Sequence, residues 1–412
     1  MSRSGCLCFK EYRPSGAPAV HWLAVGVLWI VFCLDGSGAM GQDRIQRLQL
    51  TATGFPEAVI VTGDTCWTGQ VQPAGALAGT AAEQAAACLS ELERILRAQG
   101  GSLADVARLH LYAESDEILA TARQLLQSRW SAAARPALTQ VISEIPGPGL
   151  LTMDVIATAS DSGVLTVTSE WSRLPGGRQI HVAGQAEQSE SVYEASFATL
   201  QSLQKTLEFL GRNSADIVQL KAFVQPAAAA GEVQRAVQQF FGTARPHPPL
   251  VIVEWKSGAK VPVEIELVAA GGPVQADQPP IAWVTPPGMT KSPVYSRVCV
   301  VQTGTLILTS GITAAEQRRE QSAEAAAGES AAVLENLRRI VMSAGGDFQN
   351  LVKATYYVSS DSASTSLNTV RPRFYDPERP PAASKAMVSG TGVPAAELAM
   401  DLIAVPAKNT AR

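Results

Sequence analysis

The sequence ARPALTQV at residues 134–141 leads through a proline- and glycine-rich turn into LLTMDVIA at residues 150–157. The same order returns from Arg245 and again from Arg379: an arginine followed by proline, a strand-like run, a turn and an apolar run that carries an acid. An order of elements that occurs three times in one chain indicates one supersecondary unit present in three copies. The elements upstream of each arginine therefore decide the fold.

The upstream elements repeat as well. In the first copy, two strand-like runs precede a helix at residues 83–98, which has apolar residues at helical spacing and ends at Gly100-Gly101. A strand and a second helix then lead to Arg135. Each copy predicts a mixed α+β unit whose two helices cover one face of a single sheet. Since the other face also needs burial, we expect three sheets around a pseudo-threefold axis within one chain.

The composition of the sequence separates the three repeats from a linker and an N-terminal segment. The repeats span residues 46–160, 164–270 and 293–406, and the proline- and glycine-rich segment 271–292 predicts a semi-rigid linker. Residues 1–41 combine basic residues, an apolar run and small residues, a pattern typical of a secretory signal peptide. The alternative is an uncleaved N-terminal anchor. Both interpretations place the globular part outside the cytoplasm, in a periplasmic or extracellular compartment.

The overall composition narrows the classes of function. The 412 residues are 46% hydrophobic and carry a formal net charge of -4, so no broad basic face favours nucleic acid as a partner. The four histidines are scattered without ligand spacing, so a histidine-based metal site is not expected. Beyond the leader, Cys66, Cys88 and Cys299 form an odd and widely spaced set, which favours buried thiols over a disulfide framework.

Several short motifs recur in register with the arginines. Strand-end motifs stand at Thr68-Gly69-Gln70, Gly184-Gln185 and Ser310-Gly311, and glycine pairs end two of the long helices. This ordered set, found three times between about residues 46 and 406, resembles the YjgF/Rid family of reactive intermediate deaminases (RidA-like proteins). The resemblance implies a chorismate-mutase-like α+β domain that assembles as a trimer with ligand clefts between subunits. Three tandem copies would then form an intramolecular pseudo-trimer, with the chain a monomer that has no obligate partner.

The chemistry that the resemblance implies is hydrolysis of short-lived enamines or imines derived from amino acids. Such a reaction releases ammonia and a keto acid without metal or organic cofactor. A guanidinium group can hold the carboxylate of a small substrate through two parallel hydrogen bonds. A carboxylate or hydroxyl can orient the attacking water.

The site residues that the resemblance implies match this sequence unevenly. The arginine is present in all three copies, the helix asparagine only as Asn368, the early tyrosine only as Tyr295, and the first acid of the closing strand only as Glu264. The predicted catalytic residues are Arg379, Asn368, Ser310, Tyr295 and Glu264, and the predicted substrate-binding residues are Arg135 and Arg245. The third copy is the best candidate site, and Glu264 could complete it from the neighbouring copy.

Because no copy holds the full set, a second hypothesis stays open. The chain could be a non-catalytic protein that binds a small ligand or serves as a scaffold while keeping the fold. An arginine at the start of a strand often caps carbonyls or pins one unit to the next. Glu264 and Glu266 alternate with apolar residues, which also suits a solvated strand face.

Overall fold

The computed structural model describes residues 44–49, 51, 53–256, 260–314 and 328–407. The predicted signal peptide or anchor at residues 1–41 lies outside this range. None of the helices described is both long enough and apolar enough to span a membrane.

The elements follow the order that the repeats predict. The described helices are α1 Ala81–Ala98, α2 Asp116–Arg129, α3 Val192–Phe209, α4 Ala230–Phe241, α5 Glu329–Ser343 and α6 Asp361–Val370. The strands are β1 Ile45–Arg47, β2 Ala58–Thr62, β3 Thr65–Thr68, β4 Val106–Ala113, β5 Ala137–Ile142, β6 Leu151–Thr158, β7 Thr166–Val167, β8 Trp171–Leu174, β9 Arg178–Gln185, β10 Ile217–Val224, β11 Leu250–Glu254, β12 Val263–Gly272, β13 Ile281–Val284, β14 Val298–Val301, β15 Thr305–Thr309, β16 Gly346–Val358, β17 Ala382–Met387 and β18 Leu398–Pro406.

Each of the three sheets has six strands, four from one repeat and two from outside that repeat. Their spatial orders are β5-β4-β6-β3-β8-β7, β11-β10-β12-β9-β14-β13 and β17-β16-β18-β15-β2-β1. The β7–β8 hairpin of the second repeat thus completes the first sheet. The second sheet is completed by β13, from the segment between the second and third repeats, and by β14 of the third repeat. The β1–β2 hairpin closes the cycle on the third sheet. The sheets therefore cross the limits of the sequence repeats, and the predicted linker 271–292 contains β13.

The helices cover the outer face of each sheet, as expected. Helix α1 begins with a capping box between Thr80 and Glu83, which satisfies backbone N–H groups of its first turn. Its buried stripe, which includes Leu89 and Leu92, packs against the first sheet. Equivalent apolar cores lie under α3–α4 and under α5–α6. The α+β class predicted from the repeats is confirmed for these three layers.

The inner faces of the three sheets share a core. One apolar cluster contains Ile156 of the first sheet, Val218 of the second and Val352 of the third. A second cluster joins Tyr112 of β4, Phe223 of β10 and Tyr357 of β16. The inward positions between these two clusters carry charged side chains, so a buried polar layer crosses the shared core.

The polar layer ties the sheets together through ion pairs. Arg108 Nη1 lies 3.3 Å from Asp401 Oδ1, and His110 lies between Asp154 (2.9 Å) and Asp401 (3.3 Å). Lys353 pairs with Glu266, which joins the third sheet to the second. These side chains are all buried. Glu266 therefore does not lie on a solvated face, because its strand face is covered by the neighbouring sheets.

Three turns, each of which connects a strand of one sheet to a strand of another, meet at one end of this core. A Cβ atom at Gly176 would lie 2.5 Å from Gly63, and one at Gly304 would lie 2.5 Å from Gly176. Gly63 N–H also donates to Gly304 O at 3.0 Å. Side chains at these positions would clash with backbone, so glycine allows the three turns to approach each other.

Candidate functional site

A cavity of about 350 Å³ opens between the second and the third sheets. The second sheet contributes Gly184 on β9 and Glu264 on β12, and Tyr295 precedes β14 of the same sheet. The third sheet contributes the opposite wall through side chains of β16, α6, β17 and the turn after α6. The residues of that wall used below are Tyr356, Ser364, Arg371, Ser384 and Lys385.

Glu264 is the buried acid of this cavity, whereas the second acid of its lining, Asp361, is exposed. The neighbours of Glu264 fix its position. Its carboxylate packs directly on the backbone of Gly184, where a Cβ atom would overlap Glu264 Oε1. Ser384 Oγ accepts hydrogen bonds from Gly184 N–H (3.1 Å) and from Lys353 Nζ (3.2 Å). Because a hydroxyl has two acceptor positions and one proton, the Ser384 proton remains for its hydrogen bond to Glu264. Residues of two sheets thus orient one carboxyl group.

Burial changes the protonation of this group. Loss of solvation, helped by the neighbouring Glu266 carboxylate, raises the pKa of Glu264 to about 7, although Lys353, Ser384 and Lys385 oppose the shift. A carboxyl group with a pKa near neutral pH is present in both its protonated and its ionised form. Such a group suits proton transfer in either direction, and pKa values shifted by burial and by charged neighbours are common at catalytic sites.

Two cations face Glu264 from the third sheet. Lys385 Nζ lies 2.7 Å from Ser364 Oγ and 3.5 Å from Asn368 Oδ1. The Arg371 guanidinium lies 5.6 Å from the centre of the Tyr356 ring, and its buried Nε has no hydrogen-bond partner among the described residues. Burial and the charge of Arg371 both lower the pKa of Lys385. Two cations beside the partly protonated Glu264 favour an anionic ligand, since the other acid of the lining, Asp361, is exposed to solvent.

The structure brings some of the predicted site residues together and separates others. Glu264 and Tyr295 line the cavity, and Asn368 contacts Lys385. Arg379 is not part of the cavity lining: its guanidinium lies 5.8 Å from the centre of the Trp283 ring and 3.8 Å from Asp376.

Ser310 lies between the third and the first sheets. Its hydroxyl donates to Pro56 O (2.6 Å) and accepts from Leu138 N–H (2.8 Å). These bonds join the third sheet to the first, away from the cavity that contains Glu264.

The other two predicted arginines contact their own surroundings. Arg135 donates to the carbonyls of Gly54 (2.8 Å) and Gln127 (3.1 Å), and Arg245 donates to Ser214 Oγ (2.6 Å). Each also lies over an aromatic ring, Phe55 for Arg135 and Phe241 for Arg245. Each of the three arginines thus lies over an aromatic ring and contacts a nearby carbonyl or polar side chain.

The position that Glu264 occupies in the second sheet carries a different residue in each of the other two sheets. Thr152 takes the position of Glu264 in the first sheet, where Gln70 Nε2 donates to Thr152 Oγ1 (2.8 Å) and to Ile252 O (3.0 Å). A neutral amide therefore bridges the first and second sheets. In the third sheet, Ala399 takes this position. Of these three equivalent strand positions, the one in the second sheet carries an acid, Glu264, and two cations line the same cavity.

The described residues hold no cluster of histidine, cysteine, aspartate or glutamate suited to a metal ion. Cys66, Cys88 and Cys299 are free and buried. Burial raises the pKa of each thiol to about 12. Since the thiolate is the nucleophilic form, these cysteines are unreactive at neutral pH.

Comparison with known proteins gives one family. The family model described as Endoribonuclease L-PSP matches residues 167–271 and 289–406. Among solved structures, NMB1025 of Neisseria meningitidis, a member of the YjgF protein family, is 24% identical, covers 29% of this chain and 97% of its own, and has a TM-score of 0.23. YyfB of Yersinia pestis, of the conserved Rid protein family, is 23% identical, covers 23% of this chain and 80% of its own, and has a TM-score of 0.20. No curated protein matches the chain.

Proposed function

This chain belongs to the Endoribonuclease L-PSP family, which includes the YjgF and Rid proteins, and we propose that it hydrolyses small imines or enamines that carry a carboxylate. The reaction takes up water and releases ammonia and a keto acid. The observation that carries this proposal is the meeting of Glu264 with Arg371 and Lys385 in one cavity. The site lies between two sheets, as the family resemblance implies for ligand clefts.

We assign each residue of the cavity a role that follows from the chemistry of its side chain. Arg371 holds the substrate carboxylate, since a planar guanidinium with an unpartnered Nε can donate to two oxygens at once. Glu264 takes the proton from the water molecule that supplies the carbonyl oxygen, and then returns it to the departing nitrogen. Proton transfer by a positioned group of suitable pKa contributes about 10²–10⁴-fold to a rate. These steps use only protein side chains and water.

We also propose that the three α+β layers form an intramolecular pseudo-trimer about the shared core. The cyclic exchange of hairpins and the meeting of Gly63, Gly176 and Gly304 support this arrangement. The chain is then expected to be a monomer, because each sheet already packs against the other two. Sedimentation equilibrium should give the mass of one chain, whereas an obligate trimer of chains would mean that the layers pair between chains.

The proposed function predicts a binding defect when Arg371 is replaced by glutamine. Loss of a charge-assisted pair costs about 1.5–3 kcal/mol, and each 1.4 kcal/mol is a factor of ten. We therefore expect Arg371→Gln to raise KM at least tenfold. The measurement is the rate of ammonia and keto-acid release from imines generated in situ from alanine and leucine by an amino-acid oxidase.

Two further variants sharpen this test. Arg373→Gln changes an exposed arginine two residues away and should leave KM unchanged. Arg379→Gln examines the assignment made from the sequence motif: a loss at Arg379 with none at Arg371 would transfer the carboxylate site to Arg379. If the wild type releases no ammonia above the uncatalysed rate from any imine, the hydrolase proposal fails. Calorimetric titration with the keto acids would then test the non-catalytic binding alternative.

A further inference from the structure

We propose that Lys385 is a nucleophile that forms a Schiff base with the substrate, so that ammonia leaves by imine exchange before water enters. This inference rests on the proposed function of the same cavity and names a covalent intermediate for it. Lys385 Nζ reaches the cavity from β17 and faces the wall that carries Glu264.

The contacts of Lys385 set it apart from the two other lysines near the shared core. Lys353 is paired with Glu266. Lys221 donates to Tyr357 Oη at 3.1 Å, and Asp154 and Glu266 raise its pKa despite its burial. Lys385 has only uncharged hydrogen-bond partners in the described part of the chain, and no carboxylate lies within ion-pair distance of it there. Of the three lysines, Lys385 is therefore the one that neither pairs with a carboxylate nor has a raised pKa.

The charges around Lys385 favour the free amine. Burial first, and then the guanidinium of Arg371, lower the pKa of Lys385, while the charge of Glu264 partly opposes them. Removal from solvent and the presence of a neighbouring cation are the two ways in which lysines become nucleophiles at neutral pH. The Ser364 hydroxyl, 2.7 Å from Nζ, can donate to the free amine and hold its lone pair in a fixed direction. Ser364 and Asn368 are positioning residues in this scheme.

The covalent steps balance without any further reactant. The free amine of Lys385 attacks the carbon of the protonated imine, a C–Nζ bond forms, and one Nζ proton passes through Glu264 to the substrate nitrogen. The bond between carbon and substrate nitrogen then breaks and ammonia leaves, which gives the protonated Schiff base. Water attacks that carbon as Glu264 takes one of its protons and passes it to Nζ. The C–Nζ bond then breaks as Glu264 takes the remaining hydroxyl proton, which releases the keto acid and the Lys385 amine. An enamine enters the same sequence after Glu264 protonates its carbon.

The intermediate can be trapped from the product side. Incubation of the full chain with pyruvate and sodium cyanoborohydride should reduce the imine to a stable secondary amine, and peptide mass mapping should place it on Lys385. Lys205→Met, which changes an exposed lysine of α3, should give the same adduct as the wild type. Lys385→Arg keeps the positive charge but cannot form the imine. It should give no adduct and should lower ammonia release at least 100-fold while keeping the wild-type melting temperature.

The outcomes separate this inference from the proposed function. Full ammonia release by Lys385→Arg, or an adduct spread over the exposed lysines, would overturn the Schiff base and leave the hydrolase intact. An adduct on Lys385 in a wild type that releases no ammonia from any imine would support the Schiff base and overturn the hydrolase. If Lys385→Arg melts early, Lys385→Met and Ser364→Ala give the same readouts, and an adduct of wild-type yield in Ser364→Ala would contradict the positioning role.

Discussion

Replacement of Asp401 by alanine is expected to lower the free energy of unfolding by about 3–5 kcal/mol, the cost of breaking a buried ion pair from one side. Asp401 accepts from Arg108 at 3.3 Å, from His110 at 3.3 Å and from Thr139 Oγ1 at 3.2 Å. All of these groups are buried. Without the carboxylate, the Arg108 charge remains in the core, where the Leu402 carbonyl (3.2 Å) is its one remaining hydrogen-bond partner in the described part of the chain.

The same network predicts how the loss depends on pH. Burial would raise the pKa of Asp401, but Arg108 and the hydrogen bond from His110 outweigh burial and hold this pKa well below its usual range. A carboxyl group whose pKa is lower in the folded state than in the unfolded state stabilises the fold above the unfolded pKa, about 3.9 for aspartate. That contribution is lost as the pH falls below this value. The difference between wild type and Asp401→Ala should therefore shrink between pH 5 and pH 2.

Urea denaturation at pH 7 and at lower pH gives these free energies. Asp277→Ala, at an exposed position, should stay within about 0.5 kcal/mol of the wild type. The double variant Arg108→Met with Asp401→Ala should recover part of the loss, because it removes the uncompensated charge. If Asp401→Ala is no less stable than the wild type, the polar layer does not hold the sheets together.

The repeats in the sequence were sufficient to predict the elements and the α+β class, but not which repeat supplies each strand. The Gly63-Asp64 turn connects β2 to β3, yet β2 pairs with β15 and β3 pairs with β8. The reason is that the copies have the same pattern of apolar residues. Pairing within a repeat and pairing with the next repeat bury equivalent surfaces, and local propensity does not distinguish them.

The candidate site was predictable where one residue type is unusual at its position. Glu264 stands where the other copies have Thr152 and Ala399, and it does line the cavity. Arg371 and Lys385 were missed because they enter from another repeat, more than 100 residues away in the chain. One signal was present: along β17, alternation places Lys385 on the less buried face with Ala383 and Met387. The arginine–proline motif was misleading as a guide to this cavity, because its side chains stack on rings and cap nearby groups.

Glu264→Gln is expected to lower the rate of ammonia release by about 10²–10⁴-fold, the contribution typical of a positioned proton-transfer group. Because glutamine keeps the shape, the packing on Gly184 and the contact with Ser384 should persist. The wild-type rate should rise with pH and reach half its plateau near pH 7, where burial places the pKa of Glu264. The variant should show a flat profile over this range. Glu208→Gln, exposed on the second repeat, should keep both the rate and the profile of the wild type.

Stability supplies an independent check on the same carboxyl group. The pKa of Glu264 is higher in the folded chain, about 7, than the ordinary value for glutamate of about 4.3. The folded state therefore binds more protons between these values, and the wild type loses stability as the pH rises through them. Glutamine has no proton to lose, so the melting temperature of Glu264→Gln relative to the wild type should increase from pH 4.5 to pH 7.5. A constant difference would mean that Glu264 titrates as a solvated side chain, and proton transfer near neutral pH would then need another group.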